Sequence, residues 1–142
     1  MCTSLPSLPF EDGTFSVVFA GSVFTHISEM EEAWLLELRR VTRPGGVLYV
    51  TVHDELFVAR LNAAAPDSPL GRILGRHAAT LQELGRTADV ISIGRGSKDA
   101  QVFHARDALV RRWSQHLDVV DVLDEDFYHQ TAVVLRKRTG LG

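Results

Sequence analysis

Apolar positions along the first fifty residues follow two rhythms. Phe15-Ser16-Val17-Val18-Phe19-Ala20 is a short run of strand-forming residues, apolar on nearly all sides, after the turn signal Glu11-Asp12-Gly13. It predicts a buried strand. Ser28-Glu29-Met30-Glu31 then has the spacing of a capping box, with the Ser28 hydroxyl taking the Glu31 amide and the Glu31 carboxylate reaching back. Met30, Trp34, Leu38 and Val41 follow at spacings of four, four and three, which places them on one helical face, with Glu31, Glu32, Glu37 and Arg39 mostly outside it. At Arg43-Pro44-Gly45-Gly46 the rhythm changes. Pro44 drives Arg43 out of the helical region, and the two glycines are free to take positive φ. Val47-Leu48-Tyr49-Val50-Thr51-Val52 then reads as a second buried strand. Two such strands joined by a helix of about four turns predict a parallel βαβ unit with a right-handed crossover, and hence an α/β fold.

Downstream, Leu70, Ile73, Leu74, His77, Ala78, Leu81 and Leu84 keep helical spacing, weakened by Gly71 and Gly75. A further helix is expected over Arg106 to His116, with Leu109, Val110 and Trp113 inward. Val119–Leu123 and Thr131–Leu135 then read as strands. The Asp124–Gln130 connection is too short for a crossover helix, so this pair should be antiparallel. With no internal repeat, low-complexity tract or Ser/Gly-rich linker, residues 1–142 are expected to form a single domain.

Composition narrows the function more than it defines it. A formal charge of −3 and no Lys/Arg cluster larger than Arg136-Lys137-Arg138 give no electrostatic basis for binding nucleic acid or an anionic membrane. Cys2 is alone, so no internal disulfide forms, and without a signal-peptide pattern a reducing, cytoplasmic location is expected. Apolar runs of about 6 residues are far short of the roughly 20 that span a bilayer. No His/Cys/Asp cluster has metal-ligand spacing, and no Ser/His/Asp set reads as a triad.

Two segments carry a resemblance. Leu8-Pro9-Phe10-Glu11-Asp12-Gly13-Thr14-Phe15-Ser16-Val17-Val18 and Arg40-Val41-Thr42-Arg43-Pro44-Gly45-Gly46 resemble the "LPF-x-DG-x-FD-x-V" and "RVLRPGG" motifs of the class I S-adenosylmethionine-dependent methyltransferases, at that family's spacing. The likeness runs from Leu8 to Val52 and, less specifically, over residues 101 to 136. It implies a partial Rossmann-like sheet, a parallel βαβ core plus a C-terminal antiparallel hairpin, S-adenosyl-L-methionine as cofactor and a small-molecule acceptor. It also implies that the family's first half, with its glycine-rich turn and ribose-binding acidic residue, is missing from this chain. Val90-Ile91-Ser92-Ile93-Gly94-Arg95-Gly96 has a Gly-x-Gly but no third glycine and no following strand that ends in an acid, and reads as an ordinary turn. Ser16 stands where the family usually has Asp, and Ser4-Leu5 where it often has Asp-Ala.

The resemblance places Leu5 near the adenine, and Ala20, Gly21 and Ser22 beside the methionine part of the cofactor. His26, on the same loop, is the candidate to take a proton from the acceptor; the plainer alternative is a histidine bonded to a nearby backbone group at the helix start. His53, Asp54 and Glu55 follow the second strand on the same rim, His53 as a second catalytic candidate and the two acids as acceptor ligands, with a solvated loop as the alternative. Residues 55–105 are expected to form a lid or acceptor-side insertion. The first strand should be an exposed edge that invites self-association. The competing reading is a non-catalytic α/β relic or interaction module.

Overall fold

The computed structural model describes residues 5–68, 71–72, 75–95 and 100–140. Its main sheet has four strands in the order β1 (Phe15–Ala20), β2 (Thr42–Val52), β6 (Gln130–Arg136), β5 (Asp118–Phe127). β1 and β2 are parallel and joined by helix α1 (Glu31–Val41), the expected βαβ unit, while β6 runs antiparallel to both of its neighbours. Between β2 and β5 the chain forms α2 (Glu55–Asn62), α3 (Ala78–Leu81), a two-stranded antiparallel sheet of β3 (Val90–Ile93) and β4 (Gln101–His104), and α4 (Arg106–Trp113). Among the described residues no helix is long and apolar enough to cross a membrane.

Strand alternation puts Leu48, Val50 and Val52 of β2 and Val133 and Leu135 of β6 on one face, where Leu35 and Leu38 of α1 and Leu109 and Trp113 of α4 cover them. Each large side chain buried there contributes about 1.5–3 kcal/mol, so this core holds the sheet and both helices together. A second core is built from residues 58 to 108: Val58, Leu61, Leu81, Leu84, Ile91, Ile93, Phe103, Ala105 and Ala108.

The two sequence motifs are joined by one residue. Arg40 donates to Asp12 Oδ1 (2.7 Å), to the carbonyls of Phe10 (2.8 Å) and Leu8 (3.1 Å), and to Glu37 through Nε (2.8 Å) and Nη2 (2.7 Å). Glu37 also accepts the Leu8 amide at 2.6 Å. Hydrogen bonds from Arg40, with that amide, outweigh burial and pull the Glu37 carboxyl down to about 2. Glu37, expected from the helical spacing to fall mostly outside the packed face, is buried, with Arg40 neutralising it there.

Other expectations are corrected. Met30 takes a left-handed φ of 61°, so the capping box does not form; the Glu31 carboxylate instead accepts Trp113 Nε1 at 2.8 Å. The buried face of α1 is Leu35, Leu38 and Val41, with Met30 exposed. β1 is an edge strand whose Val17 (64% exposed) and Phe19 (60%) face outward, so it is half-buried and not wrapped on all sides. β2 begins before the Pro-Gly-Gly turn. Ser16 of β1 faces the four residues Arg43–Gly46 of β2 across a bulge, with only Gly45 at positive φ (75°). Gly46 is required by proximity: a Cβ there would lie 2.7 Å from Thr42 Cγ2 and 2.8 Å from the Arg43 carbonyl oxygen. The C-terminal hairpin extends to a two-residue turn, Tyr128-His129, both at positive φ, so most of the expected polar connection is strand. Of the helix expected from Leu70 to Leu84, Leu70, Ile73 and Leu74 lie outside the described residues, as does Gly96 of the Gly-x-Gly; Val90–Ile93 is an ordinary hairpin strand.

Candidate functional site

In a parallel pair, ligands meet the loops that leave the carboxyl ends of the strands, here after Ala20 and after Val52. The first loop is held by its own polar network. Ser22, at φ 55°, donates its amide to Thr51 Oγ1 (2.8 Å), and its hydroxyl accepts Gln130 Nε2 (2.8 Å), while Thr51 donates to Gln130 Oε1 (2.5 Å). Gly21 packs under two rings: a Cβ on it would lie 2.6 Å from Phe19 Cζ and 3.1 Å from Phe127 Cε1. Ala20 is buried in the main core, whereas Leu5 is exposed.

His26 sits farther along this loop. Its Nδ1 is 2.6 Å from the carbonyl oxygen of Ala100. A carbonyl only accepts, so Nδ1 carries the hydrogen, and in the neutral ring Nε2 bears the lone pair. The bond is to a backbone group, as in the plainer alternative, but to Ala100 and not to the helix start. Beside it lies a cleft of about 440 Å³, between the post-β1 loop (His26, Ile27, Ser28, Glu29) and the β3–β4 hairpin (Ser92, Arg95, Ala100, Val102). The walls are also tied by Val102 N donating to Thr25 O at 2.8 Å.

The residues after β2 turn inward. His53 is 5% exposed and stacks on Phe57 with ring centres 3.8 Å apart, and its Nδ1 has no hydrogen-bond partner among the described residues. Burial, then the nearby His26 and His104, push its pKa down to about 3, so it stays neutral. Asp54 accepts the amides of Leu56 (3.1 Å) and Phe57 (3.4 Å) as the N-cap of α2, and its Oδ2 accepts Arg106 Nη2 (2.7 Å), Arg106 Nε (2.9 Å) and Thr131 Oγ1 (2.7 Å). Glu55 accepts the Arg106 amide through both oxygens at 3.1 Å. Both acids thus clasp α2 to α4, and neither is left as a solvated loop residue. Sequence reasoning placed His26, His53, Asp54 and Glu55 on one rim. The structure brings His26 and His53 near each other and gives the acids to Arg106, which the sequence reading did not single out. Thr51, Gln130 and Thr131, polar positions in or beside apolar strands, were the signal for the buried network. A larger cleft of about 610 Å³ lies between the start of α1 and the end of α4, and its acids are already paired: Glu31 with Trp113, Glu32 with His116 at 2.7 Å.

Residues 1–50 match the family model of the methyltransferase domain. A SAM-dependent methyltransferase from Methanosarcina mazei superposes with TM-score 0.62 at 14% identity, over 95% of this chain and 65% of that one. This is a class I methyltransferase fold. A second structure with the fold, the Burkholderia thailandensis 1,6-didemethyltoxoflavin-N1-methyltransferase holding 1,6-didemethyltoxoflavin and S-adenosylhomocysteine, has TM-score 0.57 and 11% identity, over 94% and 48% of the two chains. A third is the [4+2]-cyclase SpnF (TM-score 0.55, 13% identity, 99% and 56%). The chain spans less than two thirds of the length of each, and no curated protein matches it. The class I methyltransferase fold and the α/β architecture expected from the sequence both hold.

The cofactor of this methyltransferase class carries a ribose and a charged methionine part, which need a carboxylate and an open backbone turn. The candidate residues on the two loops after Ala20 and Val52 are already engaged within the chain. Asp54 and Glu55 are committed to Arg106, the Ser22 amide and hydroxyl to Thr51 and Gln130, and the space against Gly21 to Phe19 and Phe127. Among the described residues no group of three or more metal-binding side chains is present either.

Proposed function

We propose that this chain is the acceptor-binding part of an S-adenosylmethionine-dependent methyltransferase acting on a small molecule, with His26 as the base. The observation that carries the reading is the His26–Ala100 bond, which makes Nε2 the lone-pair nitrogen of the neutral ring on a residue that lines the cleft. The glycine-rich turn and the ribose-binding carboxylate come, in this reading, from a segment that adds to β1. The two sheet edges differ in a way that supports this. β5 carries Asp118, Asp121, Asp124, Glu125 and Asp126 and two register breaks, whereas β1 has no charged residue at all. Charges and bulges keep an edge from pairing, and an uncharged edge is suited to receive a strand.

The test is transfer of label. Protein purified natively from its source cells, given S-adenosylmethionine with a radiolabelled methyl group and the small-molecule fraction of those cells, should label a low-mass product. His26→Gln should slow this by a factor of about 100 or more. Label on macromolecules only, or none, overturns the proposal. The closed loop at Gly21 and Ser22 favours a second reading, a non-catalytic α/β module assembled through β1. That reading requires that S-adenosylhomocysteine give no binding heat with the natively purified protein.

A further inference from the structure

Among the described residues lining the cleft beside His26, the one permanent cation is Arg95, and its present partner is replaceable. Arg95 directs both Nε, at 2.9 Å, and Nη2 to a single oxygen, Oε1 of Glu29. Both side chains are 71% exposed, and among the described residues neither has another hydrogen-bonding partner. An exposed pair of this kind is worth about 0.2–1 kcal/mol. Nor does the cleft depend on it, because Glu29 and Arg95 stand on opposite walls that Val102 N–Thr25 O and His26 Nδ1–Ala100 O already join. Breaking the ion pair leaves the walls in place.

A guanidinium is a planar fork matched to the two oxygens of a carboxylate, and Glu29 occupies it with one oxygen only. A ligand carboxylate using both oxygens makes the better-matched contact, and displaced Glu29 is already in water, so its release carries no burial cost. Ser28 and Ser92 add hydroxyls, and Val102 and Ile27 an apolar wall, in a volume that suits a small organic acid. We infer that Arg95 selects a carboxylate-bearing acceptor, and that Glu29 holds the place of that carboxylate in the free protein. The inference rests on the cleft being the acceptor site proposed above. The acceptor is then a small acid with a second O–H or N–H group that reaches His26.

The test uses two probes of one shape, 4-hydroxybenzoate and 4-hydroxybenzamide, titrated into the isotope-labelled chain by NMR without cofactor. The acid should shift the Ser92, Arg95 and Val102 amides saturably at millimolar concentration, and the amide should not. Arg95→Gln should weaken binding of the acid by about tenfold or more. Glu29→Gln, which removes the competitor, should tighten it roughly two- to fivefold, an outcome that a merely structural ion pair does not give. Equal binding of the two probes, an unchanged affinity in Arg95→Gln, weaker binding in Glu29→Gln, or no shifts up to about 20 mM would each overturn the inference. The titration contains no methyl donor, so its failure is separate from a failure of label transfer.

Discussion

His53 gives the fold a measurable sensitivity to acid. The imidazole stacks on Phe57 and packs against Phe103, and burial lowers its pKa to about 3 from an ordinary value near 6.5. The unfolded chain takes up the proton more readily than the folded one. The contribution is therefore fully present above about pH 6.5 and is lost as pH falls from there toward 3. At pH 5 the unfolded state has had 1.5 pH units of advantage at about 1.4 kcal/mol each, or about 2 kcal/mol, against about 0.2 kcal/mol at pH 7. His53→Phe removes the titration and keeps an aromatic ring in the stack, and because Nδ1 has no partner among the described residues, no hydrogen bond to them is lost there. Urea denaturation of both proteins at pH 7 and pH 5 should show the parent losing about 2 kcal/mol more than the variant. His104 is shifted downward by the same burial but is present in both proteins, so it cancels in the comparison. Glu37, which titrates below about 4.5, scarcely contributes at pH 5. Equal losses in parent and variant would show that water reaches His53, and the reasoning that makes it a neutral packing element would fail.

Two further substitutions separate architecture from chemistry. Asp54→Asn leaves the Arg106 guanidinium without its closest carboxylate and should cost about 3 kcal/mol in denaturation; a change under about 1 kcal/mol would mean that Asp54 is not the clasp described. Gly46→Ala forces a methyl against Thr42 Cγ2 and the Arg43 carbonyl inside the bulge. It should destabilise by about 1–3 kcal/mol, seen as a lowered thermal midpoint, and an unchanged midpoint would show that the bulge has room.

The βαβ unit and the C-terminal hairpin were readable because their signals are local: a strand run, a helical period, a Pro-Gly-Gly stop, two β-rich runs too close for a crossover. Where the reading failed, a distant partner decided the outcome. Glu31 left its capping role because the Trp113 indole, 82 residues away, offers a buried donor. Glu37 went inside because Arg40 gathers the carbonyls of the Leu8–Phe10 segment and leaves two donors for it. Asp54 and Glu55 looked like rim acids because nothing near them in sequence supplies a cation, and Arg106 becomes their neighbour only when the chain returns. His26 was singled out from its position on the loop, but the bond to Ala100 that fixes its tautomer spans 74 residues and left no mark in the pattern.

The clasp between Asp54–Glu55 and Arg106 has a consequence for how the protein divides into cooperative parts. It ties together the two ends of a segment that carries its own apolar core, Val58 to Ala108, distinct from the core beneath the main sheet. With the two ends fixed at the base, added length within the segment costs little, since each doubling of a loop costs only about 0.6 kcal/mol of chain entropy. One wall of the His26 cleft, the β3–β4 hairpin, belongs to this segment. Amide exchange should accordingly show residues of the segment opening as a unit at lower free energy than β2 and β6. One wall of the cleft thus stands on a segment whose length can vary while the sheet beneath it stays the same.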